Sequence, residues 1–273
     1  MKKVVLLILL VAAALLLGCA QQEKPTPTAT PTVMPTATPE YSLVNPGYLT
    51  VGSDIAYPPF EYTDEKTGKY VGFDIDLMTE IAKRMGLKVK FINTAWDGII
   101  PGLISKKYDV ICSAMTITEE RAKQVDFSDP YFEAKQVIVA RADSDIKSVQ
   151  DLEGKVVAVQ QGTTGDFAAM RLVDEKGIKF EIVRFEGTPE ALMAIQKGDA
   201  DAAIIDNFVA YLAVKENPDI YKVVEDKEFA PEYYGIAVNK ENPGLLKKIN
   251  EVLKEIKQDG TYDKIYNKWF GEE

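Results

Sequence analysis

Apolar and polar positions repeat along this chain with two periods that take turns. Residues 48–52 form a short apolar-rich run, read as a strand, which ends in the turn-rich stretch 53–59. Over 73–85 the residues Phe73, Leu77, Ile81 and Met85 fall on one helical face, and Gly86 stops the helix. Residues 87–93 alternate as a strand, 97–105 read as a helix and 108–113 as a strand again. Thr118 is placed to N-cap a short helix that runs through Arg121.

The alternation restarts after Asp151. A strand is expected at 155–160, then a Gly162-Thr163-Thr164-Gly165 turn into a helix, then a strand at 180–185. Thr188 as N-cap with Pro189 behind it starts the next helix. A buried strand at 202–206 leads into a helix as far as about residue 217. A last strand is expected over 234–238, followed by helices over 243–260 and 262–269. The pattern assigns no element between residues 122 and 150. Two strand–helix arrays predict two α/β lobes, each a mainly parallel sheet flanked by helices. Ligands of such sheets sit outside the carboxyl ends of the strands. That points to residues 54–60, Trp96, 113–118, 160–164 and Asp206.

The first residues change the picture of where this protein works. Lys2 and Lys3 precede an unbroken apolar run over 4–17, shorter than the about 20 residues that span a bilayer. It reads as the core of a signal peptide at 1–18. The run ends in Leu16-Leu17-Gly18-Cys19, which resembles a lipobox with Cys19 as the lipidated residue. From 25 to 39 only Ala29, Val33, Met34 and Ala37 are neither Pro nor Thr, so residues 19–45 are expected to form an extended, lipid-anchored stalk. Cys112, in an apolar run, is the one other cysteine, so no disulfide is expected. The formal charge of −10 argues against a nucleic-acid partner.

Chemistry narrows the function further. The chain has no histidine, which removes the commonest general acid–base and the commonest metal ligand. No G-x-S-x-G, P-loop, G-x-G-x-x-G or C-x-x-C occurs, and no catalytic residue, cofactor or metal site is expected. Asp74 and Asp76, like Glu119 and Glu120, read as acidic residues of a helix's first turn. Binding groups remain. Arg121 can grip a carboxylate with two parallel hydrogen bonds, or serve in an ordinary salt bridge. Asp206 ends an apolar strand, where a carboxylate needs a partner; a ligand ammonium or the next helix would supply one. Thr163-Thr164-Gly165 offers backbone N–H groups at a helix start, which favours an anion. Tyr57, Phe60 and Trp96 can wall a slot or sit in the core.

Several stretches resemble one known family. They are Gly72-Phe73-Asp74-Ile75-Asp76-Leu77 and the helix that follows, Tyr57-Pro58-Pro59-Phe60, Trp96-Asp97-Gly98-Ile99-Ile100-Pro101, Thr116 to Arg121, Asp126-Phe127-Ser128-Asp129, and Gly260 to Phe270. Over residues 46 to 271 the chain is similar to the polar amino-acid-binding proteins of ABC importers, solute-binding family 3.

The resemblance implies a two-lobed periplasmic-binding-protein fold, a Venus flytrap with two hinge strands near 131–135 and 232–236. Lobe 1 would comprise 46–132 and 234–273, and lobe 2 would be 133–233. It implies that Arg121, Thr116 and Thr164 hold a ligand carboxylate. Asp206, the Thr116 hydroxyl and the Ala114 carbonyl would hold the ammonium. Tyr57 and Trp96 would sandwich the side chain, with Asp54, Ser113 and Gln160 setting its specificity. The implied partners are a free amino acid and an ABC-transporter permease, with the protein monomeric at the outer face of the cell membrane. Arginine ahead of lysine is the expected ligand, with glutamine or another polar amino acid as the alternative; Gln160 and Ile205 stand where glutamine binders tend to carry lysine and histidine. A sensor subunit and a dehydratase-like enzyme are the competing functions on this fold.

Overall fold

The computed structural model describes residues 41–271; the expected signal peptide, Cys19 and the stalk as far as residue 40 lie outside the described residues. The elements in chain order are β1 (Tyr48–Ser53), β2 (Tyr62–Thr63), β3 (Tyr70–Val71), α1 (Phe73–Arg84), β4 (Lys88–Asn93), α2 (Trp96–Ile104), β5 (Val110–Ile111), α3 (Glu119–Ala122), β6 (Asp126–Phe127) and β7 (Phe132–Arg141). There follow β8 (Val156–Gln160), α4 (Thr164–Asp174), β9 (Glu181–Phe185), α5 (Thr188–Lys197), β10 (Ala202–Asp206), α6 (Asn207–Glu216), β11 (Tyr221–Val224), β12 (Pro231–Tyr234), β13 (Ala237–Val238), α7 (Pro243–Gln258) and α8 (Thr261–Phe270).

Fully buried Leu49 and Val51 pair with Val89 and Phe91, so β1 and β4 run parallel. The first sheet has the order β4-β1-β5-β13-β6, and the second β11-β7-β10-β8-β9 with β12 added to β7. Both sheets are mixed; pairing in the first is mainly parallel and in the second mainly antiparallel. β1 is parallel to β4 and β5, and β8 to β9 and β10, whereas β13 runs antiparallel to β5 and β6. β7 runs antiparallel to β10, β11 and β12.

β7 is the longest of the strands that periodicity missed. Its buried centre is a continuous apolar run, Val137, Ile138, Val139 and Ala140, with no alternation to read. The strand is covered on both faces, so no polar side chain marks an outward position there.

Two further expectations change. The strand expected over 234–238 is two strands, because the chain passes from the second sheet to the first between Tyr234 and Ala237. Gly235 makes that passage feasible, since a Cβ there would sit 2.8 Å from Ile117 Cγ1. Of the strand expected over 108–113, only Val110–Ile111 is in the ladder. Asp109 turns inward, where its carboxylate accepts from the backbone N–H of Val44 (2.6 Å) and Thr50 (2.7 Å). Beyond it, Ala114 adopts a left-handed φ of 44°.

An aromatic block packs beneath the crossing strands. Phe60 and Phe132 have ring centroids 4.9 Å apart, and Phe132 and Phe270 5.0 Å. Each buried ring contributes about 1.5–3 kcal/mol by burial, and each such pair about 0.5–1.5 kcal/mol more. The block ties the 57–61 loop to the starts of β7 and α1. Gly72, the N-cap of α1, has φ 137°, and a Cβ there would lie 2.0 Å from Phe60 O. That close approach sets Asp74 beside the 57–61 loop, with its N–H donating to Phe60 O at 2.9 Å.

Candidate functional site

The ends of β1, β5, β8 and β10 face one cavity. Asp54 and Tyr57 reach it from the loop after β1, Trp96 from the first position of α2, and Arg121 from α3. Ser113, Ala114 and Thr116 line it from the loop after β5. Gln160 closes β8, Thr164 opens α4 and Asp206 closes β10, and all three line the same space. The structure therefore brings every expected binding residue except Cys19, which lies outside the described residues, around one cavity. Glu61 and Thr163 line it as well.

Arg121 is fixed by its neighbours. Thr118 N-caps α3, its Oγ1 accepting from Arg121 N at 3.2 Å. The guanidinium is buried; Nη1 donates to Thr116 O at 2.7 Å and Nη2 to Gly162 O at 3.4 Å. It also lies 5.1 Å from the centroid of the Trp96 ring. Burial lowers its pKa to about 10, so it stays charged at neutral pH. Both hydrogen-bond partners are neutral carbonyls, which leaves the cation suited to an incoming anion.

Asp206 comes from the other sheet. Tyr57 donates its hydroxyl to one carboxylate oxygen and Gln136 its amide to the other. Burial, reinforced by the nearby Glu232 charge, raises the Asp206 pKa to about 6. Glu232 was not anticipated. Its Oε2 accepts from Thr164 Oγ1 at 2.7 Å, Thr116 Oγ1 at 2.9 Å and Gln136 Nε2 at 3.3 Å. The two threonine hydroxyls expected to serve a ligand carboxylate thus hold a carboxylate of the protein.

The far end of the cavity is also acidic. Burial raises the Asp54 pKa to about 6, partly offset by Gln160, whose Nε2 donates to Asp54 Oδ2 at 3.1 Å. Gln160 Oε1 accepts from Thr188 Oγ1 at 2.9 Å. Thr188 is therefore not the N-cap of α5; that position is Gly187. Ser113 Oγ accepts from Asp54 N at 3.0 Å and donates to Glu61 Oε1 at 2.7 Å. Asp74 lies in the first turn of α1 as expected, but its carboxylate turns into the protein. Oδ2 accepts from Ala114 N and Tyr131 OH, each at 2.8 Å.

Trp96 Nε1 donates to Gly162 O at 3.2 Å, so with the Tyr57–Asp206 and Gln160–Asp54 bonds the two sheets are linked across the cavity. The model of bacterial extracellular solute-binding proteins, family 3, matches residues 49–272. The chain belongs to this family. A probable histidine-binding protein of Neisseria gonorrhoeae is 38% identical over 232 residues, which cover 84% of this chain and 85% of that protein. ABC transporter arginine-binding protein 1 of Escherichia coli K12 is 36% identical over 226 residues, 81% of this chain and 90% of that one. Among solved structures, an ancestral arginine-binding protein bound to arginine is 50% identical with a TM-score of 0.78, covering 82% of this chain and 99% of that chain. An ancestral arginine-binding protein bound to glutamine is 51% identical with a TM-score of 0.77, covering 83% and 99%.

In this family-3 protein the cavity offers one cation, a set of carboxyls and two aromatic rings. Sequence reasoning missed Glu61, Gln136 and Glu232. Gln136 carried a signal, a polar residue inside a buried apolar run. Glu61 and Glu232 carried none in local pattern, because only tertiary packing buries Glu61 and only the antiparallel pairing of β12 with β7 brings Glu232 to the site. Among the described residues no group of three or more His, Cys, Asp or Glu is arranged to hold a metal ion.

Proposed function

We propose that this protein captures one free amino acid as its zwitterion between the two lobes and delivers it to the permease of an ABC importer. The preferred ligand in this reading is basic, arginine ahead of lysine. One observation carries it: among the described residues Arg121 is the single cation lining the cavity, against the carboxyls of Asp54, Glu61 and Asp206. A neutral side chain brings no charge to these carboxyls, whereas a basic amino acid places a positive charge among them. The ligand carboxylate would take Arg121 with Thr116 and Thr164, and the ammonium Asp206 with the Thr116 hydroxyl and the Ala114 carbonyl. The side chain would run between Tyr57 and Trp96 toward Asp54, Ser113 and Gln160. Two aromatic faces suit a long aliphatic stem with a guanidinium tip.

The relatives named above are binding proteins, and this reading assigns the site no chemical step. The protein acts as a monomer, held at the outer face of the membrane through lipidated Cys19. Glutamine is the second reading, supported by the Gln160 amide that donates to Asp54 and by the relative bound to glutamine. Competition between arginine, lysine and glutamine on wild type and Asp54→Asn tests the choice. Wild type should prefer arginine, and Asp54→Asn should lose more affinity for arginine than for glutamine. Glutamine binding at least about tenfold tighter than arginine, a preference of about 1.4 kcal/mol, would overturn the basic-ligand reading.

A further inference from the structure

Glu61 and Asp74 are both fully buried and lie side by side. One oxygen of each is served: Glu61 Oε1 by Ser113, and Asp74 Oδ2 by Ala114 N and Tyr131 OH. The other two, Glu61 Oε2 and Asp74 Oδ1, have no hydrogen-bond partner. Two ionised carboxylates only accept, so neither can satisfy the other. A single proton between them turns one into a donor and removes both deficits.

No Lys or Arg is among the groups that act most strongly on the pair. Asp54 and Tyr57 face it from the loop after β1, Cys112 and Ser113 from the end of β5, Tyr131 from the start of β7 and Tyr262 from α8. Asp206 adds a further carboxyl in the same cavity. Arg121 is the cation there, and its guanidinium donates to the Thr116 and Gly162 carbonyls. Burial above all, and then the Asp74 charge, pushes the Glu61 carboxyl well above the usual range.

Resting on the reading of a basic ligand, we propose that Glu61 and Asp74 share one proton, which a cationic side chain entering the cavity displaces to solvent. One positive charge enters and one leaves, so the net charge of the site does not change. A neutral side chain such as that of glutamine brings no charge to exchange, so the shared proton stays between Glu61 and Asp74. Capture of a basic amino acid would then be coupled to proton release, and capture of a neutral one would not.

Calorimetric titration at about pH 7.5 in buffers of different ionisation enthalpy counts the protons released per ligand bound. Wild type should release close to one with arginine and close to none with glutamine, and Glu61→Gln should bring the arginine count near zero. Infrared spectra of the ligand-free protein give a second readout. An un-ionised carboxylic acid band should be present in wild type and lost in Glu61→Gln. Arginine binding without proton release overturns the exchange while leaving the ligand reading intact. If no basic amino acid binds, the ligand reading fails and the exchange with it; the infrared band then decides the shared proton, and its absence overturns that too.

Discussion

Replacing Arg121 with alanine removes the one cation that lines the cavity among the described residues. A ligand carboxylate would then be buried without its opposite charge, while Asp206 still held the ammonium. Truncating one member of a buried, hydrogen-bonded charge pair costs about 2–5 kcal/mol. At about 1.4 kcal/mol per decade, that is roughly thirtyfold to a few thousandfold in affinity. The upper half of the range is favoured by burial: Arg121 is only 6% exposed, so little water replaces the lost charge. Truncation also takes the Arg121 donor from the Thr116 carbonyl, while the Gly162 carbonyl keeps that of Trp96. Calorimetric titration of arginine into wild type and variant measures the loss, with circular dichroism and thermal melting to establish that the variant is folded. Arg121→Lys, which keeps a charge but not the paired donors, should fall between the two. A folded Arg121→Ala variant that binds within about threefold of wild type, under about 1 kcal/mol, would refute the clamp.

Three further outcomes are expected. Asp54 and Asp206 have pKa values raised to about 6, and a ligand cation favours their ionised forms, so affinity is fully present above about 6 and falls as pH drops through it. Between about pH 7.5 and 5 each such group costs about tenfold, and the proton displaced from Glu61 and Asp74 adds up to about tenfold per pH unit for arginine alone. Glutamine should therefore lose about tenfold and arginine well over a hundredfold; equal losses in titrations at both pH values would count against Asp54 as a contact of the cationic tip and against the proton exchange. Trp96 stacks on Arg121 and bonds to Gly162 across the cavity, so Trp96→Phe should abolish the ligand-induced fluorescence change, with Trp269, bound to Asp76, contributing none. Cys19→Ser should move the protein from the membrane fraction to the medium, and its retention on membranes in a fractionation blot would mean another anchor.

How much of this was legible depended on what each residue's role rests on. Segments with a clear period, such as α1 with Phe73, Leu77 and Ile81 buried on one face, could be read directly. So could the positions at strand ends, because a parallel βα unit delivers its carboxyl end to the same side each time. β7 was not legible, since a strand buried on both faces has no alternation, and with it went the antiparallel half of the second sheet. Asp74 shows the limit of local reasoning. Its place in the first turn of a helix accounts for an acidic residue without reference to anything else, yet the carboxylate is fully buried and joins α1 to Ala114 and Tyr131. The same blindness hid the surplus of buried carboxyls, because charge balance in a cavity is a property of side chains from distant segments. Asp54, Glu61 and Asp206 are ordinary acidic residues one at a time along the sequence. Gathered around Arg121 in one cavity, they are the feature on which the proposed preference for a basic ligand rests.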